Sequence, residues 1–217
     1  YDESAVGGHK TISSPRVTRQ ALEQIKQAGT EPFFVFAHYF DPHSRFLHHR
    51  NFDRTSDYVG PARELNMEIT HLRAARGDLK PADIAYLRGL YEEEIAFTDK
   101  YVGDLLQGLE DLDLDRRTLV ILTADHGEEF MEHDWIGHTR FLYDTLVRVP
   151  LVVSLPGVLA PDVVDEPVST LDIMPTLLEI GGEQGGGLDG TSLLPVLRGD
   201  GETDRARFAE VAFIAPE

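Results

Sequence analysis

The densest group of reactive side chains directly behind an apolar run is Thr123-Ala124-Asp125-His126-Gly127-Glu128-Glu129. A carboxylate and an imidazole leave the run together, and the glycine behind them permits a sharp turn. A hard divalent cation takes the carboxylate oxygen and tolerates a neutral imidazole, and a buried strand ahead of the pair fixes both against conformational loss. The alternative is an Asp-His-Gly turn whose side chains cap a following helix. A second group, His38-Tyr39-Phe40-Asp41-Pro42-His43, follows another apolar run. Pro42 limits the backbone of Asp41, so His43 is presented from a constrained turn. Near neutral pH such an imidazole can protonate a leaving oxygen or hydrogen-bond a bound anion, unless it merely packs as a turn residue. The third group is His133-Asp134-Trp135-Ile136-Gly137-His138-Thr139-Arg140. Arg140 offers an oxyanion a fork of donors, while His138 suits the role of ligand, acid or donor. His133 fits a structural hydrogen bond, and His9, His48, His49 and His71 fit solvated loop or surface positions.

The elements that must position these groups alternate in type. Residues 1–17 read as an arm or loop, and a helix follows from Thr18 to Gln27 on the spacing of Ala21, Leu22 and Ile25, with Gly29 as its stop. Phe33-Phe34-Val35-Phe36-Ala37 reads as a buried strand. Residues 44–78 form an inserted loop region over the site, with a modest helical stretch around Met67 and Leu72. Ile84, Leu87, Tyr91, Ile95, Thr98, Val102, Leu105 and Leu109 mark a long amphipathic helix, whose charged face, including Glu92, Glu93 and Lys100, reads as solvated. Thr118 to Thr123 is a second strand. Val147 to Ser154 is a third, where Pro150 argues for a sheet edge or a strand start. Ser169 or Thr170 caps a helix bearing Ile173, Leu177, Leu178 and Ile180, which Gly181-Gly182 ends. Arg207 to Phe213 suits one more strand. The alternation predicts an α/β fold: a three-layer sandwich with a mostly parallel sheet flanked by helices, one domain over residues 1–217, incomplete at the N-terminus. In such sheets ligands sit beyond the carboxyl ends of the strands, where His43 and the Asp125-His126 pair fall.

Composition narrows the partners. The 217 residues are 41% apolar, enough for a globular core, and carry a formal charge of −18. That charge disfavours nucleic acid and anionic membrane surfaces as bulk ligands, while leaving room for one small anion in a local pocket. No apolar run reaches the length of a membrane span. Cysteine is absent, which excludes disulfides and thiolate metal sites within these residues. Tyr1-Asp2-Glu3-Ser4 is neither a signal-peptide start nor an initiator methionine, so the chain reads as cut from something longer and its compartment stays open. Pairing with a second copy is a further expectation, because an incomplete sheet leaves an unpaired edge.

From about Thr18 onward the sequence resembles the sulfatase family of the alkaline phosphatase superfamily. The segment Phe36 to His43 is similar to the family's strand running into a His-x-x-Asp-Pro-His turn, and Tyr91 to Asp99 resembles its long helix. The Thr-Leu-Val strand and the Asp-His-Gly turn follow in the family's order. Leu142-Tyr143-Asp144 to Leu151, Leu171 to Leu178 and Asp189 to Pro195 look like further signatures. The resemblance implies hydrolysis of a sulfate ester by a nucleophile on a metal ion held in part by Asp125 and His126, with a small-molecule sulfate or phosphate ester as the partner. Calcium is the expected ion, with Mg2+, Mn2+ and Zn2+ as alternatives. It implies a formylglycine nucleophile from a Cys/Ser-x-Pro-x-Arg motif upstream of this chain, for which Ser13-Ser14-Pro15-Arg16 is a rejected near match. By the same resemblance His43 stands near the leaving group and His138 where many relatives place a sulfate-binding lysine. A phosphodiesterase or phosphonate monoester hydrolase is the nearest rival reading, and a non-catalytic binding module is the rival from another class.

Overall fold

The computed structural model describes residues 12–43, 45–65, 68–139, 141–183, 185–199, 206 and 208–210. They belong to two compact units: one runs to Asp115 and includes Glu128–Gly137, the other takes Arg116–Gly127 and the residues from His138 onward.

The first unit is built on three helices, α1 (Ser14–Ala28), α2 (Ile69–Ala75) and α3 (Pro81–Asp111). Helix α1 starts inside the predicted arm, so residues 14–17 are helical and the arm reading is corrected there. Pro15 sits in the first turn, where its missing N–H costs nothing. The Asp41 carboxylate accepts the Ser13 and Ser14 N–H groups, each at 2.6 Å, and so caps the helix from a distant segment. Ala21 and Ile25 are buried, and α1 lies so close to α3 that a Cβ on Gly108 would stand 2.4 Å from a Leu22 methyl. At its start, α3 is fixed by Asp83, whose carboxylate accepts the Lys80 N–H at 2.8 Å and the Tyr58 hydroxyl. Its 31 residues make a rod of roughly 46 Å. Phe46, Leu72, Leu87, Leu90, Phe130 and Ile136 form the core of this unit. The predicted loop region carries α2 and three short 3-10 turns, Arg50–Phe52, Pro61–Glu64 and Arg76–Asp78.

Two expectations fail in this unit. Phe33–Ala37 is extended but pairs with no strand among the described residues. Phe34 and Phe36 are 76% and 81% exposed, while Phe33, Val35 and Ala37 alternate onto a half-buried side. An apolar run becomes a buried strand only where neighbours take its backbone bonds and cover both faces, and here one face lacks that cover. Glu93, read as part of a solvated face, is fully buried, because the segment before it in sequence brings four hydrogen-bond donors to its carboxylate.

The second unit holds strands β1 (Val120–Thr123) and β2 (Leu151–Ser154) with helices α4 (Asp144–Val147), α5 (Ile173–Ile180) and α6 (Leu194–Leu197). The α/β class stands. The strand pair, however, is antiparallel, with Val120 opposite Ser154 and Thr123 opposite Leu151, so the parallel pairing expected of the sheet is not formed among the described residues. A parallel pair needs a crossover that returns the chain to its starting end, and the connection from β1 brings β2 back in the opposite direction. Pro150 immediately precedes β2, the strand-start position its missing donor demands, and Val147 belongs to α4 instead. Ser169 caps the 3-10 turn Thr170–Asp172 ahead of α5, its side chain and that of Asp172 forming a reciprocal box. Phe208–Glu210 carry no strand, and the remainder of the strand expected at Arg207 to Phe213 lies outside the described residues.

Candidate metal and anion site

Strand β1 ends at Thr123, whose hydroxyl donates to the Pro150 carbonyl at 2.8 Å. The chain then turns through Asp125 and His126 into Gly127, whose N–H donates to the Leu146 carbonyl at 2.8 Å. This turn lies against α4 so tightly that a Cβ on Gly127 would stand 2.0 Å from the Thr145 carbonyl oxygen. Only glycine fits there. His126 Nδ1 is 2.8 Å from the Gly127 carbonyl oxygen. A carbonyl can only accept, so Nδ1 bears the proton and, in the neutral ring, Nε2 carries the lone pair. Nε2 lies 3.7 Å from Asp125 Oδ2, and the Asp125 side chain is 80% exposed. Ligand atoms at right angles around a calcium ion are roughly 3.3–3.7 Å apart. The imidazole nitrogen and the carboxylate oxygen therefore have the chemistry and spacing of two neighbouring ligands on one divalent cation. The His138 ring stacks on His126, with centroids 3.8 Å apart and planes 26° from parallel.

Three of the predicted site residues, Asp125, His126 and His138, are thus brought together in the second unit. Arg140 lies outside the described residues. His43 belongs to the first unit, where its N–H closes a turn onto the Phe40 carbonyl at 3.1 Å and its ring stacks on Phe40 at 4.7 Å. The turn is anchored to α1 through Asp41, and Tyr39 is tied to the same helix by a 2.8 Å hydrogen bond with Thr18. Burial pushes the Tyr39 hydroxyl above its ordinary pKa, an effect the Thr18 bond only partly offsets. Asp41 therefore works as a helix cap, and Pro42 and His43 follow a residue whose side chain is fully committed.

His133 makes the structural hydrogen bond expected of it, with Nδ1 2.5 Å from Oε1 of the buried Glu129. His71 is exposed and His9 lies outside the described residues. The surface reading holds for His48, whose side chain is 48% exposed although it pairs with Glu93 at 2.8 Å, and needs correction for His49, which is 8% exposed. Sequence reasoning missed the partners, Glu93 and Glu94. The available signal was a run of three glutamates, Glu92 to Glu94, between the apolar residues Tyr91 and Ile95 of a long helix. His48, Asp53 and Glu93 bring ligand atoms within 4.8 Å of one another. Each Glu93 oxygen already accepts two hydrogen bonds, so the cluster fastens a loop and its acceptors are committed to that task.

The fold is that of the hydrolases of the alkaline phosphatase superfamily. The phosphonate monoester hydrolase SpPMH from Silicibacter pomeroyi superposes with a TM-score of 0.73 at 24% identity, over 89% of this chain and 42% of its own. BT4656, solved with its substrate D-glucosamine-2-N,6-O-disulfate, superposes at 0.65 with 21% identity over 91% of this chain and 55% of its own. The Sulfatase family model matches residues 1–183, and the chain belongs to the sulfatase family. Arylsulfatase K of Canis lupus familiaris is 35% identical over 128 residues, 58% of this chain and 24% of the relative. The chain thus spans about a quarter of the length of that curated relative. Membership of the family implies a divalent metal. No described helix is long and apolar enough to cross a membrane.

Proposed function

We propose that the chain forms part of the catalytic domain of a metal-dependent sulfuric ester hydrolase. Asp125 and His126 hold the cation, His43 protonates the departing alcohol, and His138 with Arg140 binds sulfate oxygens. The single observation that carries this reading is the Asp125-His126-Gly127 turn. The Gly127 carbonyl fixes the His126 tautomer, and the nitrogen left with the lone pair faces the Asp125 carboxylate. A bound divalent cation would supply positive charge for the sulfate oxygens and the nucleophile. Calcium is the ion proposed, because a carboxylate-led shell suits a hard cation. The nucleophile is the formylglycine of the family's Cys/Ser-x-Pro-x-Arg motif, which these 217 residues do not contain. A single catalytic domain accounts for the family model running across both units.

The test is hydrolysis of 4-nitrophenyl sulfate by the full-length protein, with and without chelator. Loss of activity on chelation and its return with calcium support the reading; chelator-resistant turnover refutes the metal. A second reading, a phosphonate monoester hydrolase, is favoured by the structural likeness to SpPMH. Parallel assays on an aryl phosphonate monoester and an aryl phosphodiester separate the two by the ratio of kcat/KM values.

A further inference from the structure

Away from the Asp125-His126 turn, two adjacent carboxylates of α3 grip a single segment of the first unit. Glu93 and Glu94 are 0% and 1% exposed. Glu93 accepts His48 Nδ1 and the His49 N–H on Oε2, and the Arg54 N–H and the Thr55 hydroxyl on Oε1, each at 2.8 Å. Glu94 accepts the Leu47 N–H on Oε1 at 2.7 Å and His49 Nε2 on Oε2 at 2.8 Å. The His49 ring also stacks on Phe97, one turn further along α3, at 4.1 Å. The charges acting on Glu94 are His49 across the hydrogen bond and Asp41 from the turn ahead of the segment, and Glu93 is its neighbour in sequence. Around Glu93 stand His48, with Asp53 acting on that ring, and Arg54, whose side chain reaches Glu92 at 3.6 Å.

We propose that Glu94 and His49 form a proton-operated latch on the Leu47 end of this segment, fastened while Glu94 is a carboxylate and loosened when it takes a proton. Glu93 keeps His48, the His49 N–H and the Arg54–Thr55 end fixed throughout. The reason is the inventory of donors. A carboxylate only accepts, and both groups facing Glu94 donate to it. A protonated Glu94 keeps one accepting oxygen: a hydroxyl on Oε1 displaces the Leu47 N–H, and a hydroxyl on Oε2 requires His49 to carry its proton on Nδ1 so that Nε2 can accept. The two neighbours also differ in how firmly they hold their charge. Burial pushes the Glu94 carboxyl above its ordinary pKa and Asp41 adds to the rise, against the pull of Leu47 and His49. Burial acts on Glu93 too, but its hydrogen-bond donors outweigh it and hold that carboxyl below the ordinary range. Acidification therefore reaches Glu94 first.

Residue-resolved amide exchange on the full-length protein, from about pH 7 to about pH 4.5 and corrected for intrinsic rates, tests the latch. Protection of the Leu47 amide, which donates to Glu94, should fall by up to about tenfold per pH unit, the limit for one linked proton. Over the same range the His49 and Arg54 amides, which donate to Glu93, should keep their protection. In Glu94→Gln, which cannot titrate, Leu47 protection should no longer depend on pH. Flat protection of Leu47 in the unaltered protein overturns the proposal without any variant. So does an equal fall at Leu47, His49 and Arg54, or a pH dependence that survives in Glu94→Gln.

Discussion

Replacing Gly127 by alanine puts a methyl carbon 2.0 Å from the Thr145 carbonyl oxygen. The backbone of Gly127 is not in the left-handed region, so the cost is steric. Ordinary contact begins near 3.4 Å, so turn and helix must separate by about 1.4 Å, the difference of those two distances. That displacement breaks the 2.8 Å bond from the Gly127 N–H to the Leu146 carbonyl. It also moves the carbonyl that fixes His126 Nδ1 at 2.8 Å. Overpacking of this size costs about 1–3 kcal/mol, and the lost backbone bond adds about 1 kcal/mol. Displacing a reacting group by about 1 Å lowers a rate roughly 100-fold, which sets the expected fall in kcat/KM on 4-nitrophenyl sulfate. Half-saturation by metal should rise as well, because His126 loses its orientation. Gly182→Ala is the control: it has a φ of 77° and nothing within 4 Å, so it should cost about 1 kcal/mol of stability and leave turnover unchanged. A folded Gly127→Ala protein with wild-type turnover and metal dependence would refute the assignment of the turn to the metal.

Asp172 is fully buried and accepts the Ser169 N–H and the Thr191 N–H at 2.9 Å each, so Asp172→Ala should cost about 3 kcal/mol in urea unfolding while KM stays fixed. Glu93 is held below its ordinary pKa, so its stabilisation is full above the ordinary carboxylate range and is lost as pH falls through the depressed folded value. Glu93→Gln should therefore lower stability at neutral pH by about 3 kcal/mol and flatten the acid limb of the stability curve, read by melting temperature against pH. Asp125→Ala should reduce turnover to background on every substrate, whereas His43→Ala should reduce it more on an alkyl sulfate than on 4-nitrophenyl sulfate, whose phenol leaves without a proton. Equal losses on both substrates would remove His43 from the general-acid role.

Local rules made part of the fold legible. The helix around Ala21 and Ile25, the long helix beginning at Pro81, and Pro150 as a strand start each follow from propensity, capping or a missing donor. Phe33–Ala37 was read as buried because its residues are apolar, yet Phe34 and Phe36 are 76% and 81% exposed. Burial depends on what pairs with the run, and a periodicity within five residues carries no information about that. Strand direction failed to follow for the same reason: alternation of helices and strands constrains how a connection must run, and the chain from β1 to β2 returns antiparallel. Glu93 and Glu94 were opaque because a charged residue on a helix is solvated by default. Only the donors of Leu47–Thr55, some forty residues earlier in the chain, reverse that default.

The site was legible in its atoms and not in its supports. Asp125 and His126 could be named from residue type and their place behind an apolar run, and His138 from the polar cluster His133 to Arg140. What holds them could not, since Gly127 is required by a carbonyl oxygen of Thr145, eighteen positions on. Several motif residues that look chemical turn out to be fastenings. Asp41 caps α1, and Asp172 joins the start of α5 to Thr191. The Thr176 hydroxyl donates to the Asp172 carbonyl at 2.6 Å and accepts the Leu193 N–H at 2.8 Å. Beside them a Cβ on Gly190 would stand 2.0 Å from the Leu171 carbonyl oxygen. These contacts tie the Leu171 to Leu178 and Asp189 to Pro195 segments to each other. A buried carboxylate serving two backbone N–H groups tolerates substitution as poorly as a ligand does, because its loss leaves buried donors unpaired. Whether a motif residue of this chain does chemistry therefore depends on what its polar atoms face. Asp172 faces backbone N–H groups, whereas the Asp125 side chain is 80% exposed and has its carboxylate beside an imidazole lone pair.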